Sequence, residues 1–176
     1  MKIIYLAAIK EEINDLCNFF LTGVGKINAT FVTTDLINKY KPEKIINFGT
    51  AGSTRSDISG LVKCTSFIQR DMDVTGLQNF ELGETPFDNI NKIYFGNNGY
   101  LCGTGDNFLS SKISLDCDVV DMEAYAIAKV CKLKKINFEC YKYISDYTDK
   151  NSNNEWNKNI SKGAQLFLDK FPNCNL

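Results

Sequence analysis

Over its first 53 residues the chain alternates short apolar stretches with helix-forming ones, and glycine-rich segments stand at the joints. Residues 2–8 read as a short buried strand, and a helix begins at Glu11 and runs to about Asn18. Residues 18–21 form a second strand ending in the turn Thr22-Gly23-Val24-Gly25-Lys26, and residues 27–40 carry helical periodicity, with Ala29, Val32, Leu36 and Ile37 on related faces until Pro42 stops the helix. Residues 44–48 give a third strand, followed by a second glycine-rich turn, Gly49-Thr50-Ala51-Gly52-Ser53. Residues 61–105 read as strands with long loops, the β-like fragments being 62–68 and 92–95. A strand at 118–121, a helix at 123–133, a strand at 138–144 and a closing amphipathic helix at 156–171 complete the chain, the last with Ile160, Leu166, Phe167 and Phe171 on its apolar side. Such alternation predicts an α/β fold, a three-layer α/β/α sandwich around a mixed, largely parallel central sheet. With 176 residues, 44% of them hydrophobic, a single domain over 1–176 buries a sizeable core.

One joint carries chemistry. Val119-Val120 runs into Asp121-Met122-Glu123 and then into the small-residue stretch Ala124-Tyr125-Ala126-Ile127-Ala128. Carboxylates are the least suited residues for a buried strand-to-helix junction unless something there binds them. At the carboxyl end of a strand in an α/β sheet, that something is commonly a ligand. A formal charge of −1 and only two arginines, Arg55 and Arg70, give no electrostatic footprint for nucleic acid or an anionic membrane. The chain has no histidine, which excludes histidine-dependent triads and zinc sites and leaves carboxylates, lysines, cysteines and hydroxyls to do any chemistry. Seven cysteines without a C-x-x-C pair read as reduced and mostly buried. Together with a start too polar for a signal peptide and no membrane-spanning run, they lead us to expect a cytoplasmic protein.

Seven segments occur in an order that resembles the purine nucleoside phosphorylase and nucleosidase superfamily, specifically the 5′-methylthioadenosine/S-adenosylhomocysteine nucleosidases. They are Ala8-Ile9-Lys10-Glu11-Glu12, Thr22-Gly23-Val24-Gly25-Lys26-Ile27-Asn28-Ala29, Asn47-Phe48-Gly49-Thr50-Ala51-Gly52, Asp73-Val74-Thr75, Gly103-Thr104-Gly105-Asp106-Asn107-Phe108, Asp121-Met122-Glu123 and Ile144-Ser145-Asp146. The resemblance covers most of the chain, which is shorter than typical members and lacks most of the hairpin between the first helix and the first glycine turn. It implies hydrolysis of an adenine nucleoside, a homodimer in which an apolar surface of the partner closes over the 5′ substituent, and neither metal nor organic cofactor.

The chemistry of such a reaction asks for these residue types. Breaking an N-glycosidic bond builds positive charge on the ribosyl ring and negative charge on the departing purine, so a proton delivered near N7 lowers the barrier. The resemblance makes Asp146 that acid, Glu12 the base that activates water, and Glu123 the acceptor for the ribose 2′- and 3′-hydroxyls. It also makes Met122 the platform under the sugar and Phe108 the ring stacked on adenine, with backbone near Leu109 reading the base edge. Ser145, Thr50, Ala51 and Gly52 complete the substrate-binding set, and Ser53 joins the nucleophile pocket. Standing alone, each has an ordinary structural reading: Ser145-Asp146 as a turn cap, Glu123 and Glu12 as acids at helix starts, Phe108 as core. Lys142 stands four residues before Asp146, where the resemblance predicts arginine, so an ion pair there is less geometrically fixed. We assign Asp121 no role.

A phosphorylase must grip a phosphate dianion, normally with forked arginines. Phe48 precedes Gly49 with no cation, and Arg55 and Arg70 lie on loops not aimed at the pocket, so water is the favoured nucleophile. Two alternatives stay open, a phosphate-dependent phosphorylase and a non-catalytic nucleoside-binding relative. Retention of Glu12, Glu123 and Asp146 together opposes the second. A dinucleotide-binding domain does not fit, because Gly23-Val24-Gly25 lacks the further glycine and downstream acid of that fingerprint.

Overall fold

The computed structural model describes residues 2–14, 18–77, 79–111 and 115–175. Strand β1 (Ile3–Ala7) leads into a single helical turn, α1 (Lys10–Ile13), then β2 (Phe19–Leu21), α2 (Lys26–Tyr40) and β3 (Lys44–Ser53). β4 (Leu61–Gln69), β5 (Lys92–Tyr94), β6 (Tyr100–Thr104) and β7 (Val119–Asp121) follow, then α3 (Ala124–Lys134) and β8 (Asn137–Asp146). The chain closes with α4 (Ser152–Asn159), α5 (Gly163–Lys170) and a 3-10 turn, Pro172–Asn175.

The strands run β2-β1-β3-β7-β6-β4-β5, and β8 pairs with both β3 and β4. Lys44 to Gly52 of β3 pair in parallel with β8, and on the other edge Gly52 and Ser53 pair antiparallel with β7. β4 is antiparallel to β8 over its first four residues and parallel to β6 from Cys64 onward. Because β6 pairs with β7, the strands β3, β8, β4, β6 and β7 close a ring inside the mixed sheet. The ring gathers the ends of β3, β7 and β8, which is where the acids stand. The expected layers are present. α2 and α3 cover one side through Ala29, Leu36, Ile37, Ile127 and Cys131, and α1 and α5 cover the other through Ile13 and Phe167. Apolar burial on both sides holds the layers together.

Local chemistry explains where elements stop. α2 ends at Lys41, which takes a left-handed conformation (φ 49°) and donates its N–H to the Ile37 carbonyl, and Pro42 has no N–H with which to continue. α3 is buried nearly all round from Ala124 to Cys131 because its alanines let it approach both the sheet and α2.

Several elements differ from the expectation. The glycine-rich segment 49–53 is not a turn, because β3 continues through it with one register shift between Ala51 and Gly52. The closing helix is two helices. A Cβ on Gly163 would lie 2.4 Å from Tyr143 Cβ, so the chain passes directly over β8 there and restarts as α5. Phe167 is buried as expected, but Leu166 is exposed. β8 reaches Asp146, two residues further than its apolar run. The first helix is observed only as Lys10–Ile13, and the remainder of its expected span includes residues 15–17, outside the described residues. Cys17 falls there too, and the other six cysteines are free and buried. Among the described residues no helix is long and apolar enough to cross a membrane.

Candidate active site

β1 delivers its chain directly into α1, which turns Glu12 back beneath the sheet end, where it is buried. Its carboxylate accepts three hydrogen bonds: from Ala8 N to Oε2 (3.1 Å), and from Thr50 N (2.7 Å) and Thr50 Oγ1 (2.9 Å) to Oε1. Three donors replace the water this acid has lost, and they fix its plane. A Cβ on Gly49 would stand 3.0 Å from Oε1, so a side chain there would crowd the carboxylate.

At the end of β8, Asp146 lies opposite Gly52 in the parallel register. Oδ1 accepts Thr148 N (3.1 Å), and Ser145 Oγ lies 2.9 Å from Oδ2 and 3.3 Å from the Ala51 carbonyl. A Cβ on Gly52 would come within 2.8 Å of Asp146 Oδ1, which is why the strand carries glycine at this point. The two glycines of the segment thus make room for the two acids.

The β7–α3 junction brings the third carboxylate. Glu123 Oε1 accepts the N–H of Gly25 (2.9 Å), a residue whose φ of 92° favours glycine. Burial, and then the negative charge of Asp121, push Glu123 up to about 8 against an ordinary value of 4.5. Asp121, to which the sequence assigned nothing, anchors the junction. Oδ2 accepts Ala124 N (2.8 Å), Glu123 N (3.3 Å) and Lys142 Nζ (2.8 Å), and Oδ1 accepts Thr104 Oγ1 (2.5 Å). Burial works against its charge, yet Lys142 holds Asp121 below the usual carboxylate range, and Asp121 in turn raises the buried Lys142. Lys142, where the resemblance predicts arginine, forms this ion pair with both side chains enclosed.

These groups face one cleft with about 600 Å³ of empty space, open to solvent. Glu12, Thr50, Ala51, Gly52, Phe108, Leu109, Met122, Glu123, Ser145 and Asp146 all line it. Ser53 does not; its hydroxyl donates to the carbonyl of Arg55 (2.7 Å). Arg70 corrects the sequence reading, since it lines the cleft. Its guanidinium is engaged with the loop that carries Phe108, donating to Asn107 Oδ1 (2.8 Å), the Asn107 carbonyl (2.6 Å) and the Gly105 carbonyl (3.3 Å). Trp156 also lines the cleft, from α4, and meets Phe108 edge-on with centroids 6.3 Å apart. That it is the chain's one tryptophan was the only signal available for it. Among the described residues no group of three His, Cys, Asp or Glu side chains could hold a metal ion.

Residues 14–99 match a family model described as the phosphorylase superfamily. A 5′-methylthioadenosine/S-adenosylhomocysteine nucleosidase of Bacillus cereus (strain B4264) is 31% identical, the alignment covering 81% of this chain and 73% of that protein. This chain belongs to the 5′-methylthioadenosine/S-adenosylhomocysteine nucleosidase family. A nucleosidase of that name from Bacillus thuringiensis subsp. konkukian (strain 97-27) is 30% identical with the same coverage. Among solved structures, the Helicobacter pylori 5′-methylthioadenosine/S-adenosylhomocysteine nucleosidase with butyl-thio-DADMe-Immucillin-A superposes with a TM-score of 0.85 at 22% identity, covering 97% of each chain. A futalosine hydrolase mutant from Helicobacter pylori gives 0.85 at 23% identity, covering 96% of this chain and 97% of that one. At such identity the structures establish the nucleosidase-family fold, and the site is argued from its own geometry.

Proposed function

We propose that this chain hydrolyses the N-glycosidic bond of an adenine nucleoside, releasing adenine and the free ribose derivative. The observation that carries the reading is the convergence of three buried carboxylates, Glu12, Glu123 and Asp146, on one cleft beside Phe108. In the proposed reaction the C1′–N9 bond breaks with its electrons passing to the purine, and Asp146 donates a proton to N7. Water attacks C1′ and gives its proton to Glu12. Glu123 receives the 2′- and 3′-hydroxyls, Met122 lies against the sugar, and Phe108, 46% exposed, offers its face to adenine.

Water rather than phosphate is supported by where the cations are spent. Lys26 is paired with Asp71 and Asp106, Arg55 with Asp57 and Asp118, and Arg70 is bound to the Asn107 loop. Incubation with 5′-methylthioadenosine, with and without phosphate, tests the choice. Adenine and methylthioribose should appear equally in both, and a strict need for phosphate with a sugar 1-phosphate product would overturn it. 5′-Methylthioadenosine, S-adenosylhomocysteine and 5′-deoxyadenosine are the candidate substrates. Val24, exposed at the cleft rim, sets an apolar border for the 5′ group.

We further propose one nucleosidase domain over residues 1–176, acting as a homodimer in the cytoplasm. The dimer is supported by the groove between α2 and α3, where Ile27 (82% exposed) and Phe31 (72%) continue the apolar border that starts at Val24. A second copy seated there would close the cleft. Free buried thiols suit a reducing compartment.

A further inference from the structure

Trp156 sits on α4, and its Nε1–H donates to Thr50 Oγ1 at 3.1 Å. That oxygen is 2.9 Å from Glu12 Oε1. The direction of both bonds is forced. An indole N–H can only donate, and an ionised carboxylate can only accept, so the hydroxyl of Thr50 must accept from Trp156 and point its single proton at Glu12. α4 is itself fixed to the strand end that bears Asp146, because Asn159 Nδ2 donates to the Ser145 carbonyl at 2.7 Å.

We propose that Trp156 is a positioning residue for the base of the reaction, acting through Thr50; this rests on the nucleosidase reading. Two donors from Thr50, its N–H and its hydroxyl, then occupy Glu12 Oε1, whereas among the described residues Oε2 receives the N–H of Ala8 alone. Oε2, the oxygen with fewer donors among the described residues, is the one that takes the proton from the attacking water. Trp156 also meets Phe108 edge-on, planes inclined at 73°. One side chain therefore couples the ring that holds the purine to the acid that activates water, and filling of the base site is felt at Glu12.

The test separates the hydrogen bond from the ring. Trp156→Phe keeps an aromatic side chain beside Phe108 but removes the donor. The account expects kcat to fall about tenfold, with KM within about threefold of wild type, since a misdirected base costs rate rather than binding. In the Trp156→Phe/Thr50→Val double variant the losses should not multiply, because both substitutions cut one chain. A single tryptophan gives a single indole correlation in the ¹H–¹⁵N spectrum of the labelled full chain, and Thr50→Val should move it upfield. This last readout keeps the tryptophan in place and needs no turnover. An indole resonance unmoved by Thr50→Val would overturn the relay, as would a Trp156→Phe loss confined to KM or multiplying with that of Thr50→Val. Wild-type protein that cleaves no adenine nucleoside while the indole responds to Thr50→Val would instead overturn the nucleosidase reading, and with it the positioning role of Trp156.

Discussion

The carboxylates of the cleft live in different environments, and their predictions differ accordingly. Glu12→Gln and Asp146→Asn should lower kcat by roughly 10²–10⁴-fold, the span of general acid–base catalysis, with the fold retained by circular dichroism; near-wild-type rates in either would refute the assigned role. Glu123 binds its proton up to about pH 8 in the fold, against 4.5 ordinarily. Between those values the folded chain holds a proton that the unfolded chain has released, so this group's contribution to stability falls as pH rises through the window and is flat above it. Melting temperatures measured from pH 5 to 9 should therefore decline more steeply in wild type than in Glu123→Gln, and parallel curves would count against a protonated Glu123. Lys142→Met strands Asp121 in the interior and should cost about 3–5 kcal/mol in denaturant unfolding, part of which Asp121→Asn restores. The acids themselves were legible in the sequence because their order carries the resemblance. Asp121 with Lys142, and Trp156 with Thr50, were not, because each pair is assembled across the sheet from distant segments and its meaning lies in a distance.

At the level of elements, the segment 49–53 is where sequence reasoning about secondary structure failed for a functional reason. Glycines usually punctuate strands, but Gly49 and Gly52 sit inside β3 because the carboxylates of Glu12 and Asp146 occupy the space a Cβ would need. Gly52→Ala should destabilise the fold by about 1–3 kcal/mol through overpacking and depress kcat/KM by displacing Asp146. Gly76→Ala, at a position with nothing within 4 Å of the added carbon, should do neither. Steady-state kinetics beside thermal melts distinguish the two, and a Gly52→Ala enzyme of wild-type activity would contradict the close approach. The break between α4 and α5 was hidden for a similar reason. Residues 156–171 keep a helical pattern, and only the passage of Gly163 over Tyr143 interrupts it. α2, α3 and the strands β1 and β7 were readable because periodicity and burial agree along them.

For the molecule as a whole, the layered α/β order was legible from alternation alone, whereas the closing of β3, β8, β4, β6 and β7 into a ring depends on β8 pairing on both sides, which no local pattern encodes. That ring brings the ends of β3, β7 and β8 to one cleft and so turns a series of weak motifs into a site. The α2–α3 groove makes its claim at the same scale. Phe31→Glu should shift sedimentation from dimer to monomer, and an unchanged sedimentation coefficient would remove the groove as the dimer surface. The central claim, that water attacks the ribosyl carbon, is tested most directly by running the reaction on 5′-methylthioadenosine in H₂¹⁸O in the presence of phosphate. The account predicts methylthioribose formed with one ¹⁸O at C1′, after correction for exchange with solvent. Accumulation of methylthioribose 1-phosphate without solvent label would contradict it.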